Sequence, residues 1–331
     1  MKFLVIGLGS MGKRRVRNLR ALGHRDIAGF DPRDDRRNEA ASLYGVTPFA
    51  SYQEALAKFK PNALIISTGP RYHMDYALPA AEAGLHCFVE ASVVDAERIL
   101  ELNRRVRGTK LVMAPSCTLR YYPGPKKVKE LVQSGAIGKP LNLNYQTGQY
   151  LPDWHPWEHI RDFYVSDRDT GGGREIVPFE LTWLNDIFGD PQPLACVKTK
   201  LTDIVADIDD IYHCLLRYPG GMLANLTVEV VSRPKATREM CILGTEGKIV
   251  FSGDENAVRY IRVGDADWTR LPLCGGTVES GYINPEEPYI AELGDFVRAA
   301  EESNASLFPN TLVQDARVLT LLSQLEQLST Q

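Results

Sequence analysis

The fold class that the sequence predicts is α/β plus α+β: a doubly wound parallel sheet domain, then a domain built on an open, mainly antiparallel sheet. Three observations carry this expectation. Short, continuously apolar runs alternate with helix-length segments over the first third, the pattern of parallel strands buried on both faces. Beyond Pro115 the apolar residues alternate with polar ones around glycine-containing turns. The chain is 331 residues long with 44% hydrophobic content, enough for more than one core. The expected domains are 1–117 and 118–331.

Taken in order, "KFLVIG" (2–7) is the first strand and a helix runs from Met11 to about Leu22. The opening "MKFLVIGLGS" is short and apolar like a signal peptide, but glycines interrupt it and no small-residue cleavage site follows, so it reads as that strand. "DIAGFD" (26–31) is a second strand. "SYQEALAKF" (51–59) is a helix opened by a capping box, Ser51 with Glu54. "NALIIST" (62–68) is a third strand, and a helix follows it up to Gly84. "HCFVE" (86–90) is the fourth strand, the helix after it starts near Asp95, and "KLVMA" (110–114) is the fifth strand. A helix from about Pro125 to Ser134 precedes the strand 141–150. Hairpins are expected around Pro219-Gly220-Gly221 and Thr245-Glu246-Gly247. Two amphipathic segments, "PYIAELGDFVRAAEES" and "TLVQDARVLTLLSQLEQL", close the chain as helices.

Charge is mixed, with 38 basic and 42 acidic residues and a net charge of −4. A long-range positive field is absent, so no nucleic acid and no membrane surface is expected as partner. No apolar run is long enough to span a bilayer. None of the six cysteines forms a CxxC pair, and buried free thiols in a reducing, cytoplasmic setting are expected.

"GLGSMG" places Gly7, Gly9 and Gly12 after a strand and at the start of a helix, and Asp31 ends the next strand about twenty residues on. In that context the pattern is a dinucleotide-binding fingerprint. Gly7 permits the tight turn, Gly9 lets backbone approach a pyrophosphate, and Gly12 lets the helix pack on the sheet. The backbone of Ser10 and Met11 and the helix dipole favour the phosphate charge. Asp31 accepts from the ribose and favours NAD; Arg33, Arg36 and Arg37 would hold a 2′-phosphate if NADP is bound instead. The basic stretch "KRRVRNLR" reads as a solvated face of that first helix.

With these segments in view, the chain resembles the glucose-fructose oxidoreductase / inositol dehydrogenase family, Gfo/Idh/MocA. The resemblance is carried by "GLGSMG", "STGPRYHMDYALPAAEAGLHCFVEA", "SCTLRYYPGPKKVKELVQSGAIGKPLNLNYQTGQYLPDWHPW" and "TGGGREIVPFELTWLNDIFGD". Within the family, "LPDWHPWEHIRDFY" is similar to members tied to surface-sugar pathways. The resemblance implies a Rossmann domain followed by a substrate-binding and oligomerisation domain. It implies hydride transfer between NAD(P) and a secondary alcohol of a sugar, polyol or nucleotide-sugar, and a homo-oligomer, dimer or tetramer. It also implies Thr68, His73 and Glu90 as cofactor neighbours.

Two departures stand out. The family's Glu-Lys-Pro after the fourth strand reads Glu90-Ala91-Ser92 here. Its aspartate and histidine after three glycines read as Glu175 or Ile176 and as Phe179. Pro178 suggests that the helix starts late, near Val177. Both usual proton carriers are thus replaced, and general acid–base help must come from elsewhere. The candidates are Glu180, His155 and Glu90. Arg174 and Glu175 lie on the same segment, either pairing with each other or, for the carboxylate, serving as a desolvated base. Substrate contacts are expected from Arg120, Tyr121, Arg161 and Tyr164, and from Trp154 and Trp157, which either stack on a sugar's apolar face or anchor their loop to the core. Pro156 breaks the helical spacing of "DWHPWEH", so no metal site is expected there. The principal expectation is an NAD(P)-dependent oxidoreductase with a non-standard proton relay. The alternatives are a non-redox or binding protein that retains NAD(P), and an NAD-assisted eliminase or epimerase.

Overall fold

The computed structural model describes residues 1–154, 159–162 and 164–329. It divides into two compact units, Met1–Tyr121 with Gly275–Arg317, and Tyr122–Cys274 with Val318–Gln331.

In the first unit the elements are β1 (Phe3–Ile6), α1 (Ser10–Ala21), β2 (Ile27–Phe30), α2 (Asp34–Tyr44), β3 (Thr47–Phe49), α3 (Tyr52–Phe59), β4 (Ala63–Ile66), α4 (His73–Glu82), β5 (His86–Val89), α5 (Ala96–Val106) and β6 (Met113–Pro115). The strands form one parallel sheet in the order β3-β2-β1-β4-β5-β6. Strand order reverses beside β1, which leaves a crevice at the carboxyl ends of β1 and β4, the place where such sheets bind ligands.

Several local expectations hold at the level of single bonds. The Ser51 hydroxyl accepts from the Glu54 backbone N–H at the start of α3. Gly84 has a left-handed φ of 72° just past α4. Others shift. The periodicity missed α2 and β3, because α2 buries only Ala40 and so has no apolar stripe to reveal it, while β3 is a three-residue edge strand. The last strand begins later than 110, because the Thr109 hydroxyl donates to the Val106 carbonyl and accepts from the Leu111 N–H, which prolongs the turn.

The second unit comprises α6 (Pro123–Gln133), β7 (Pro140–Gly148), α7 (Gly173–Phe188), β8 (Gln192–Thr199), β9 (Ile211–Arg217), β10 (Leu223–Glu229), β11 (Thr237–Gly244), β12 (Gly247–Ser252), β13 (Ala257–Arg262) and β14 (Thr269–Pro272). Its sheet runs β14-β13-β12-β11-β7-β10-β9-β8, antiparallel throughout except for the parallel pair β7–β10. The expected hairpins are there: Leu223 pairs with Arg217 and Leu243 with Lys248. One face is covered by α6 and α7.

Two closing helices follow, α8 (Glu287–Glu301) and α9 (Leu312–Gln327). A contiguous second domain from 118 onward is not what the contacts give. Residues Gly275–Arg317 return to the first unit because Leu293, Phe296, Val297 and Ala300 of α8 belong to the core around Phe3, Val5 and Phe88. The Phe88 and Phe296 rings meet edge to face at 5.7 Å. Helical periodicity reports that α8 has an apolar face but not which core receives it. Four cysteines are buried as expected, whereas Cys241 is half-buried and Cys274 exposed. Among the described residues no helix is long and apolar enough to cross a membrane.

Candidate active site

The turn between β1 and α1 is built for a close approach of backbone. Gly7 has a φ of 86°, and a Cβ there would lie 2.7 Å from the Ser67 carbonyl oxygen. At Gly12 a Cβ would lie 1.8 Å from the Gly7 carbonyl oxygen, so any side chain drives α1 away from β1. A Gly12→Ala variant should therefore lose about 1–3 kcal/mol or more of stability and its thermal shift with NAD, both read in one melting experiment.

Helix α1 has Gly9 as its N-cap, no side-chain cap and no acidic residue in its first turn. Its first N–H groups, from Ser10 to Gly12, are left for an anion. The Asp31 carboxylate is buried and fixed, with one oxygen accepting from the Leu8 N–H at 2.8 Å and the other from the Arg33 N–H at 2.9 Å. The Arg33 side chain pairs with Asp35 in solvent at 2.6 Å, so the expected cofactor role passes to its backbone. Arg37 donates to the Asp31 carbonyl, and Arg36 lies against Gly9 with a nitrogen 3.9 Å from Asp31 Oδ2. At the end of β4, Thr68 Oγ1 is buried with no partner among the described residues. His73 is buried beside it. Nε2 lies 3.0 Å from the Thr68 carbonyl, which can only accept, so the proton is assigned to Nε2, and Nδ1 has no partner among the described residues. Burial holds the imidazole below its ordinary pKa, hence neutral. An uncapped helix start, a glycine cradle, a fixed carboxylate and an orphaned hydroxyl fit a dinucleotide.

Glu90 has a different role from the one expected. Its two oxygens accept from Arg15 Nε at 2.7 Å and Nη2 at 2.9 Å, and the Ser67 hydroxyl adds a third bond. Arg15 also reaches Glu292 at 3.0 Å, and Glu292 accepts from the Ser116 hydroxyl, the Cys117 N–H and the Thr118 hydroxyl. Glu90 is thus a strut joining α1, β5 and α8, not a free base. The face of α1 bearing Arg14 and Arg15 is buried, not solvated. Sequence reasoning missed Arg15 and Glu292. The signal was there: Arg15 falls in the stripe Gly12-Val16-Leu19, and Glu292 in the stripe Tyr289-Leu293-Phe296, each a charge where the helix is otherwise apolar.

Ser92 and Asp315 are both buried, and burial pushes the Asp315 carboxyl up to about 7, a hydrogen bond from the Ser92 side chain opposing part of that rise. Arg120 and Tyr121 are absorbed by the first unit rather than offered to a substrate. Arg120 donates to the Pro309 carbonyl at 2.6 Å, and the Tyr121 hydroxyl donates to Asp295 at 2.8 Å.

In the second unit α7 starts at Gly173, earlier than Pro178 suggested. The Gly172 N–H bonds the Val165 carbonyl and the Gly173 N–H the Asp209 carbonyl, so the helix entry is anchored. No side chain fits at Gly171, where a Cβ would sit 1.8 Å from the Val165 carbonyl oxygen. Pro178 is carried inside the helix at the cost of one i→i−4 bond.

This start decides between the two carboxylates of α7. Glu180 is fully buried and consumed: it accepts from Arg238 at 3.0 Å, the Tyr145 hydroxyl at 2.8 Å and Trp183 Nε1 at 2.6 Å. It is an internal ion pair, so the expected role as base is corrected. Glu175, in the first turn, has no ion-pair partner among the described residues. Arg174 goes to Glu326 at 2.8 Å instead. The Tyr164 hydroxyl donates to Glu175 Oε1 at 2.6 Å, and Oε2 is buried with no partner among the described residues. Burial pushes the Glu175 carboxyl up to about 7, and the Tyr164 bond opposes only part of that rise. Trp154 packs against the cluster Leu151, Val165, Ile208 and Val230, anchoring its loop. Arg161 is exposed. His155 and Trp157 lie outside the described residues.

Two family models match the chain. Residues 1–113 match the family model "Oxidoreductase family, NAD-binding Rossmann fold", and residues 126–250 match "GFO/IDH/MocA C-terminal domain". Inositol 2-dehydrogenase 3 of Saccharopolyspora erythraea is 32% identical over 143 residues, 41% of this chain and 42% of that protein. Myo-inositol 2-dehydrogenase of Thermotoga maritima is 26% identical over 167 residues, 49% and 48% of the two chains. The chain thus spans less than half the length of these two relatives. Inositol 2-dehydrogenase of Salmonella paratyphi B is 25% identical over 86% of this chain and 90% of its own. Among solved structures, levoglucosan dehydrogenase in complex with NADH and levoglucosan superimposes with a TM-score of 0.84 at 18% identity, covering 99% of this chain and 96% of that one. At that identity the likeness shows the fold.

Proposed function

This chain belongs to the Gfo/Idh/MocA family of NAD-binding oxidoreductases, and we propose that it oxidises a secondary alcohol of a sugar or polyol, with Glu175 receiving the alcohol proton. The observation that carries the reading is the state of Glu175. It is a buried carboxyl with one oxygen held by Tyr164, the other without a partner among the described residues, and a pKa raised to about 7. A group poised near the working pH is the most effective general base.

NAD, held by the Gly7–Gly12 turn and Asp31, supplies the hydride acceptor. The chain's own residues do the rest. Asp31, a carboxylate at the end of β2, disfavours a 2′-phosphate by charge, and Asp35 already neutralises Arg33, so NAD is preferred to NADP. Tyr164 keeps Glu175 Oε1 engaged, so Oε2 is the atom left to accept a proton. The Arg238–Glu180 pair holds the middle of α7 against the sheet and so fixes the first turn. Position 91, an alanine, contributes neither charge nor proton.

The test is direct. The purified chain is mixed with NAD or NADP and a panel of inositols, aldoses, anhydrosugars and nucleotide-sugars, and absorbance at the reduced-nicotinamide band is followed. Turnover with NAD at least about tenfold above that with NADP is expected. Tight NAD binding without reduction by any alcohol sinks the proposal and favours the binding-protein alternative that Ala91 and Phe179 raise.

A further inference from the structure

The segment that leads into α8 reaches back onto the helix that holds the dinucleotide, and this contact goes beyond the glycine fingerprint. Tyr282, Asn284 and Glu286 of this segment touch α1. Glu286 is buried and accepts from Arg14 Nε at 3.0 Å, Arg17 Nη2 at 3.0 Å and Asn18 Nδ2 at 2.8 Å. The Asn284 carbonyl accepts from Arg14. The ring of Tyr282 is touched by two guanidinium groups, Arg14 at 4.5 Å and Arg17 at 4.3 Å from its centroid. Both distances are within cation–π range.

The hydroxyl of Tyr282 has a specific target. It donates to the carbonyl oxygen of Ser10 at 2.8 Å and accepts from Arg17 Nη1 at 3.4 Å. The Ser10 carbonyl belongs to the same peptide plane as the Met11 N–H. That N–H is one of the first-turn donors of α1 with no intrahelical partner. A hydrogen bond to a peptide carbonyl polarises the whole amide and strengthens its N–H as a donor, and a donor behind the phenol adds to the effect. The same bond fixes the rotation of the plane, and with it the direction of the N–H.

We propose that Tyr282 is a positioning residue for the dinucleotide: a relay from Arg17 through the Tyr282 hydroxyl to the Ser10–Met11 peptide aims and strengthens the Met11 N–H toward the diphosphate. The inference rests on the reading that NAD occupies the Gly7–Gly12 turn. It assigns a cofactor role to a residue far along the chain, which touches the turn only from behind.

The experiment compares the full-length parent with Tyr282→Phe, which keeps the ring between Arg14 and Arg17 and removes only the hydroxyl. The dissociation constants for NAD and for ADP-ribose are measured by calorimetry. Protein labelled with 15N-methionine reports the Met11 amide directly, since the chain has only six methionines. The expected result is an about threefold to tenfold weaker affinity for both ligands, the size of one net hydrogen bond. The Met11 amide proton should shift upfield in the free protein. A ring that merely packs on α1 predicts no change in either reading. A dissociation constant within about twofold of the parent, or an unmoved Met11 resonance, overturns the proposal while the NAD reading stands. A parent chain that binds neither ligand overturns both.

Discussion

Replacing Glu175 with glutamine should lower turnover on a sugar or polyol by about a hundred- to ten-thousand-fold, with the dissociation constant for NAD unchanged. Glutamine keeps the shape and can still meet the Tyr164 hydroxyl, so the loss isolates the proton acceptor. The pH profile makes the test sharper. Alcohol oxidation needs the carboxylate form, and burial places the Glu175 pKa at about 7. The parent's kcat/KM for oxidation should therefore be low below that pH, rise through it and level off above. The reverse reduction needs the protonated form and should fall over the same interval. In Glu175→Gln both profiles should lose this step. A variant that keeps parental turnover or the parental pH step removes Glu175 from the mechanism.

Replacing Arg15 with methionine should destabilise the protein by about 3–5 kcal/mol in urea unfolding, the usual cost of removing one partner from a buried charge network. Arg15 is wholly buried and is the cation between Glu90 and Glu292. Methionine fills much of the volume but leaves Glu292 buried without its counter-charge. Glu292 is already held above the ordinary carboxyl range by burial, with Arg15 pulling the other way. Without Arg15 its pKa rises further. The folded variant then takes up a proton as the pH falls, so the deficit should be largest above neutrality and shrink toward pH 5. A deficit that is small, or the same at pH 8 and pH 5, contradicts this account of the network.

Much of the fold was legible because local chemistry carries it. The Gly7–Gly12 turn, the Ser51 cap, the Gly84 stop and the two hairpins all depend on residues within a few positions of one another. Helix α2 was illegible for the opposite reason: with one buried residue it has no periodic stripe. The start of α7 was misjudged because Pro178 argues locally for a late start, whereas the helix entry is fixed by the Val165 and Asp209 carbonyls, which proline rules do not see.

The functional side chains divide along the same line. That a dinucleotide turn exists, that an acid closes β2, and that position 91 lacks a proton carrier were written in the sequence alone. Each follows from residue type at a fixed local spacing. Which carboxylate is spent and which is available was decided only by the tertiary structure. Glu90 is tied to Arg15 and Glu180 to Arg238, while Glu175 is buried with no cation beside it among the described residues. A charge's behaviour depends on its partners and its exposure, and those partners come from distant segments: Arg15 and Glu292 are 277 positions apart. Spacing along the chain reports what a residue can do, and packing settles whether it is left free to do it.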